Sequence, residues 1–306
     1  MQRRKFIRQT LTATALTAFG RMPLSAMNPE NELLRLTILH TNDQHSRIDP
    51  FPMDGSRYQG LGGFAKRATL IKKIRQEAGH VLLLDAGDIF QGTPYFNFFH
   101  GEVEIAAMSK MGYDAATIGN HDFDGGIDNL AKQVSKADFE MIISNYHLED
   151  TPMANHFKPY KIFRKGSLKI GVIGVGIEVK GLVPKKLYGN TVYQDPVAKA
   201  NHYATLLKHE MGCDYVILLS HLGYKYRTER LISDKRLAPL TRNIDLIIGG
   251  HTHTFMEGPD LMTNAEGKPI RIHQVGWAGI ILGRLDVDFT PEKTICGVRV
   301  NNTFVS

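Results

Sequence analysis

Five short apolar runs in this chain each stop abruptly on a turn of Asp, His, Asn and Gly, and few folds can accommodate that repetition. Leu36–Leu39 runs into His40-Thr-Asn-Asp-Gln-His45, Val81–Leu84 into Asp85-Ala-Gly-Asp88, and Ala115–Ile118 into Gly119-Asn-His-Asp-Phe-Asp124. Tyr215–Leu219 runs into Ser220-His-Leu-Gly223, and Leu246–Ile248 into Gly249-Gly-His-Thr-His253. Short apolar runs without polar alternation predict strands buried on both faces. Between them, residues 63–76, 102–111 and 126–136 repeat apolar side chains at three and four positions, the helical period. Strand and helix in alternation predict an α/β fold with largely parallel strands. In such sheets the carboxyl ends of the strands form the ligand crevice, so all five turns are expected along one edge. Further strands are expected at 169–175, 270–274 and 283–289, and a Gly-, Pro- and Tyr-containing excursion loop at 180–197. No Pro/Ser-rich linker interrupts the pattern, so residues 33–306 are expected to form one domain.

Composition matters mainly for what it excludes. At 42% hydrophobic the 306 residues can bury a sizeable core, and no run of ~18 apolar residues offers a membrane span. The net charge of +6 suggests a polyanion partner until its distribution is examined. Residues 1–26 hold five basic residues and no acid, which leaves 32 basic against 31 acidic residues in the remainder. A balanced working domain has no footprint for a nucleic-acid polymer. The leader itself reads Gln2-Arg3-Arg4-Lys5-Phe6-Ile7-Arg8, then a short, mildly apolar stretch to Gly20, then small residues at Ser25-Ala26. Residues 1–26 therefore resemble a twin-arginine export signal and predict a periplasmic or exported protein, the alternative being an amphipathic or disordered tail. Cys213 and Cys296 lack metal-site spacing, and Cys213, just before an apolar run, is expected to be a small buried hydrophobe.

The five turns collect Asp43, His45, Asp88, Asn120, His121, Asp122, Asp124, His221, His251 and His253. Pairs two apart, Asp43 with His45 and His251 with His253, project to one side of an extended segment and suit two ligands on one cation. Imidazole, carboxylate and amide oxygen together favour Mn, Zn, Fe or Co over Ca. There are too many donors for one tetrahedral zinc and enough for two ions of higher coordination. Each turn alone has an ordinary explanation, since Asn and Asp cap helices and a single His after a strand is often a core residue. His40, Asp85 and Asp122 are expected to be structural members of this kind. Five such turns at one end of a sheet are not explained that way.

These motifs resemble, in order and spacing, the five blocks of the calcineurin-like metallophosphoesterases. Leu39-His-Thr-Asn-Asp43 and Asn120-His-Asp-Phe-Asp124 are similar to the 5′-nucleotidase branch. The resemblance implies a sandwich of two mixed β-sheets flanked by helices, with the metals at the carboxyl ends of the strands. It implies that Asp43, His45 and His253 bind a first divalent ion, that Asn120, His221 and His251 bind a second, and that Asp88 bridges them. It further implies that a hydroxide formed between the ions attacks a phosphomonoester in line, with His121, oriented by Asp124, assisting the leaving oxygen. The expected substrate is a nucleotide. Alternatives within the class are 2′,3′-cyclic-nucleotide phosphodiesterase, UDP-sugar hydrolase or a sulfur-ester hydrolase. Full-length nucleotidases add a C-terminal domain with base-stacking aromatic and Arg residues, whereas this chain stops at Ser306. A separately encoded C-terminal domain is the partner this departure implies, and a subunit active only with it is the rival reading. Within the chain, Trp277 lies between glycine-bearing turns near the His251 block and is the expected stacking surface at the mouth, unless it is a half-buried interface residue.

Overall fold

Side chains that alternate across each strand sort themselves into three cores. The structure is a computed structural model, and it describes residues 33–228 and 231–306. The leader expected over residues 1–26 lies outside them. The first sheet runs β14 (Ile295–Val300), β13 (Ile281–Phe289), β1 (Leu34–Thr41), β2 (Val81–Asp85), β3 (Ala115–Ala116) and β4 (Glu140–Met141), with β15 (Thr303–Phe304) also paired to β13. The second runs β11 (Asp260–Thr263), β12 (Pro269–His273), β10 (Leu246–Gly249), β9 (Tyr215–His221), β7 (Leu168–Gly176) and β6 (Tyr160–Lys165). A short pair, β5 (Tyr146–His147) and β8 (Val192–Tyr193), stands apart. Within the first sheet β1 to β4 are mutually parallel, and within the second β7, β9, β10 and β12 are.

Leu36, Ile38, Leu82 and Leu84 face Ile170, Val172, Ile217, Leu219, Leu246 and Ile248 to make the core between the sheets. Their neighbours one position along, Leu39 and Leu83, turn the other way, onto Ile71 and Ile74 of helix Phe64–Glu77 and Ile105 and Met108 of helix Glu102–Met111. On the far side Ile173, Val175, Val216 and Leu218 meet Ala200 and Ala204 of helix Pro196–Thr205. Strands two-sided in this way must be apolar throughout, which is why the runs lack alternation. Burying one such side chain fully is worth ~1.5–3 kcal/mol, so the three cores fix the relative placement of both sheets. Asp195 caps the last helix, its carboxylate accepting the N–H of Val197 at 2.8 Å, with Pro196 in the first turn.

Two expectations change. The run 115–118 keeps only Ala115–Ala116 as strand, paired to Leu84 and Asp85, and the bond from the Thr117 N–H to the Asp85 carbonyl at 3.1 Å is the end of that ladder. Residues 180–197 are not a free loop: they include helix Lys185–Tyr188 and β8, with Val183 and Tyr188 buried. The two mixed sheets that the resemblance implied are present, and both contribute to the edge that carries the five turns. β1, β2 and β3 bring three of the turns from the first sheet, and β9 and β10 bring two from the second.

Candidate metal centre

Where the two sheets' carboxyl ends meet, six side chains form two triads. Asp43, His45 and His253 each direct one donor atom into a cluster less than 4.8 Å across, and Asp88, His221 and His251 do the same beside it. Each triad draws on both sheets, so neither exists until the sheets have packed.

The turns adopt unusual backbone to do this. Asp43, His45, Asp88, His251 and His253 all have positive φ, from 47° to 72°, a region that costs a non-glycine residue ~1–3 kcal/mol. Hydrogen bonds between turns hold them there. The N–H groups of Asp43 and His45 donate to the carbonyls of Gly87 and Asp88 at 2.9 and 3.0 Å, zipping the first turn to the second. The buried Asp122 carboxylate accepts the N–H of Asp88 (3.1 Å), Ile89 (2.8 Å), Phe90 (3.0 Å) and Gly119 (2.8 Å), tying the second turn to the third. Asn42 donates to Asp43 Oδ2 and to the Gly276 carbonyl, both at 2.6 Å. Gly119 has no substitute here, since a Cβ would overlap Asp88 Oδ1 and the His221 ring.

The donor chemistry fits cations. His45 Nδ1 lies 3.1 Å from the Gln91 carbonyl and His221 Nδ1 lies 2.7 Å from that of Ala86. A carbonyl can only accept, so in the neutral rings Nδ1 carries the proton and Nε2 presents a bare lone pair. His45 Nε2 stands 3.0 Å from His253 Nε2, and the buried His221 Nε2 has no hydrogen-bond partner although Asp88 Oδ2 is 3.0 Å away. Nitrogen and oxygen lying side by side in this way flank a common point, as ligands of one ion do. Asp88 Oδ2 is also 3.9 Å from His45 Nε2, which places this carboxylate between the triads. Asn120 Oδ1 lies 2.8 Å from His251 Nδ1, beside the second triad. Burial pushes His251 down to about 4 and His45 below its ordinary value, which keeps both rings neutral. Burial opposes the charge of Asp88, yet the protonated form of His221, itself pushed up to about 10 by Asp88 against its own burial, holds that carboxylate below the usual range, a role that a bound cation would take over from the proton.

His121 belongs to neither triad. Its Nδ1 is 2.7 Å from Asp124 Oδ2, and this hydrogen bond raises its pKa against partial burial. Its backbone N–H donates to Asp88 Oδ1 at 2.7 Å, and its ring stands edge-on to that of His45 with 5.3 Å between centroids. Trp277 is half-buried and lies parallel to the His253 ring, 5.6 Å between centroids and 5° apart, with Phe51 edge-on at 5.8 Å. His40, Asp85 and Asp122 are buried and outside both triads, with His40 Nε2 paired to His273 Nδ1 at 2.8 Å. Cys213 is buried in the outer core and Cys296 is exposed. The sequence reading missed Asn42 and the Gln91 carbonyl; Asn42 has a signal in its adjacency to Asp43, whereas a backbone carbonyl has none.

A family profile described as calcineurin-like phosphoesterase matches residues 36–255, a stretch that contains all five turns. The chain belongs to the calcineurin-like phosphoesterases. Within this family it is similar to the snake venom 5′-nucleotidase of Gloydius brevicauda, 34% identical over an alignment of 281 positions that covers 85% of this chain and 46% of that protein. Among solved structures it resembles the 5′-nucleotidase precursor of Thermus thermophilus, with TM-score 0.78 and 28% identity over 89% of this chain and 54% of that one. The NAD nucleotidase of Haemophilus influenzae is similar at TM-score 0.77 and 28% identity, covering 89% and 56%. The chain spans about half the length of these relatives. The calcineurin-like phosphoesterases use divalent metals, and the two triads are this chain's candidate positions for them.

Proposed function

We propose that this chain is an exported phosphohydrolase of the 5′-nucleotidase type that works with two divalent cations. The observation that carries the reading is the pair of triads with Asp88 between them. Asp43, His45 and His253 would hold one ion, His221, His251 and Asn120 the other, and Asp88 both. Bound there, two such cations supply Lewis acidity toward phosphoryl oxygens and lower the pKa of water. The chain's own residues do the rest. His121, held by Asp124 in one orientation, donates a proton to the departing ester oxygen. The charge that Asp124 lends keeps this ring protonated to higher pH than an isolated imidazole. Asp122 and Asn42 hold the loops that carry the ligands.

Nucleotide as the substrate draws its support from the 5′-nucleotidase relatives and from Trp277, whose half-exposed ring at the mouth offers a stacking surface. Export through a twin-arginine signal rests on Arg3-Arg4 and the leader composition. A reading in which a separately encoded C-terminal domain completes the substrate site draws on an exposed aromatic surface. Tyr58 and Phe255 stack 6.1 Å apart, and with Phe304 (58% exposed) they line a cavity of about 750 Å³. The deciding experiment assays the purified chain with Mn against AMP, cyclic nucleotides and bis(p-nitrophenyl) phosphate, before and after chelation. Hydrolysis that vanishes with chelator and returns with Mn is the expected result. Absence of hydrolysis on every ester, with two ions bound, would overturn catalysis by the chain alone.

A further inference from the structure

Gln44 stands in the turn between the candidate ligands Asp43 and His45, and its side chain enters the protein. There it is 0% exposed and meets two buried charges of opposite sign. Its Oε1 accepts from Arg67 Nη2, and its Nε2 donates to Asp85 Oδ2 at 2.8 Å. Arg67 comes from helix Phe64–Glu77, is 1% exposed, lies over the Phe64 ring at 4.2 Å, and leaves its Nε without a partner. Asp85 is 0% exposed and closes β2, where it also accepts the Thr41 hydroxyl at 2.6 Å and the Gly87 N–H at 2.9 Å.

A buried guanidinium and a buried carboxylate each need a partner of the right polarity. The amide supplies both, oxygen toward the cation and nitrogen toward the anion. A flipped amide would present N–H to the cation and oxygen to the anion, which is repulsive at both ends. The two charges therefore fix one orientation of Gln44, and through it the left-handed backbone of its neighbours Asp43 and His45. Asp85 extends the same hold to the second turn through Gly87, next to Asp88.

We propose that Gln44 is a positioning residue for the metal centre, its amide locked between Arg67 and Asp85 so that the two ligand-bearing turns keep their register. The proposal rests on the two-cation reading above. Gln44→Leu removes the amide, and Gln44→Glu keeps an acceptor for Arg67 while opposing Asp85. Both are made in the full chain and titrated with Mn, following stoichiometry, affinity and the electron paramagnetic resonance spectrum. The expected result is a fold-loss of ~10–100 in affinity at one position, as for other residues that orient ligands, and replacement of the spin-coupled two-ion spectrum by that of an isolated ion. In an Arg67→Met/Asp85→Asn background the same Gln44→Leu change should add little further loss. A merely structural role would lower the melting temperature and leave stoichiometry and spin coupling intact. Wild-type affinities and coupling in both variants would overturn the positioning role alone. Failure of the wild-type chain to bind two ions would overturn the two-cation reading and this role with it.

Discussion

The two triads use the same residue types in different surroundings. In the second, the His221 side chain is 0% exposed, sealed where β9 meets the first sheet's turns. In the first, the His253 side chain is 39% exposed and lies under Trp277 at the mouth. Burial strengthens every interaction between a cation and its ligands but closes the path for exchange. The comparison teaches that the same donor set can be presented in two settings, one sealed inside and one open at the mouth. The first-triad ion is accordingly expected to leave first on chelation.

The largest effect should come from the residue the triads share. Asp88→Asn exchanges a carboxylate between two dications for a neutral amide, so both ions should weaken together and activity should be lost. Metal analysis checks it, and two tightly retained ions would break the comparison at its centre. Next is His121→Asn, which should cut kcat by roughly 10²–10⁴ with both ions retained. Loss of an ion in this variant would make His121 a ligand. The hydrogen bond that His121 Nδ1–H donates to Asp124 raises the His121 pKa, so the protonated donor is present below that pKa and is lost as pH rises through it. Asp124→Asn should therefore move the alkaline limb of the kcat profile to lower pH, and an unmoved limb would assign that limb to another group.

Much of this centre is legible in sequence because strand ends put ligands at predictable places. Apolar runs such as Val81–Leu84 announce strands buried on two faces, and the first candidate donor lies two to four residues beyond each run, at Asp43, Asp88, Asn120, His221 and His251. The division into two sheets is not legible in the runs. It depends on β1 pairing with β13, whose partners Leu36 and Val287 lie far apart in the chain. Arg67 illustrates the same limit at the level of one side chain. It lies within the helical repeat of residues 63–76, where nothing local marks it, yet it is buried with an acceptor supplied by Gln44, 23 residues away. Sequence pattern carries period and local polarity, whereas compensation between distant charges appears only after folding.

The smallest expected effect sharpens the comparison on its open side. Trp277→Ala should raise KM for a nucleoside monophosphate about tenfold, within the ~1–3 kcal/mol that stacking on an aromatic contributes, and leave ribose 5-phosphate unchanged. Equal change on both esters would make Trp277 a support for His253 rather than a surface for a base.

The central claim is that two adjacent cation positions, one per triad, share Asp88. Anomalous diffraction from Mn-loaded crystals of this chain tests it most directly. The account predicts two peaks, one among Asp43, His45 and His253 and one among His221, His251 and Asn120, both in contact with Asp88. A single peak, or a pair that Asp88 does not bridge, would contradict it.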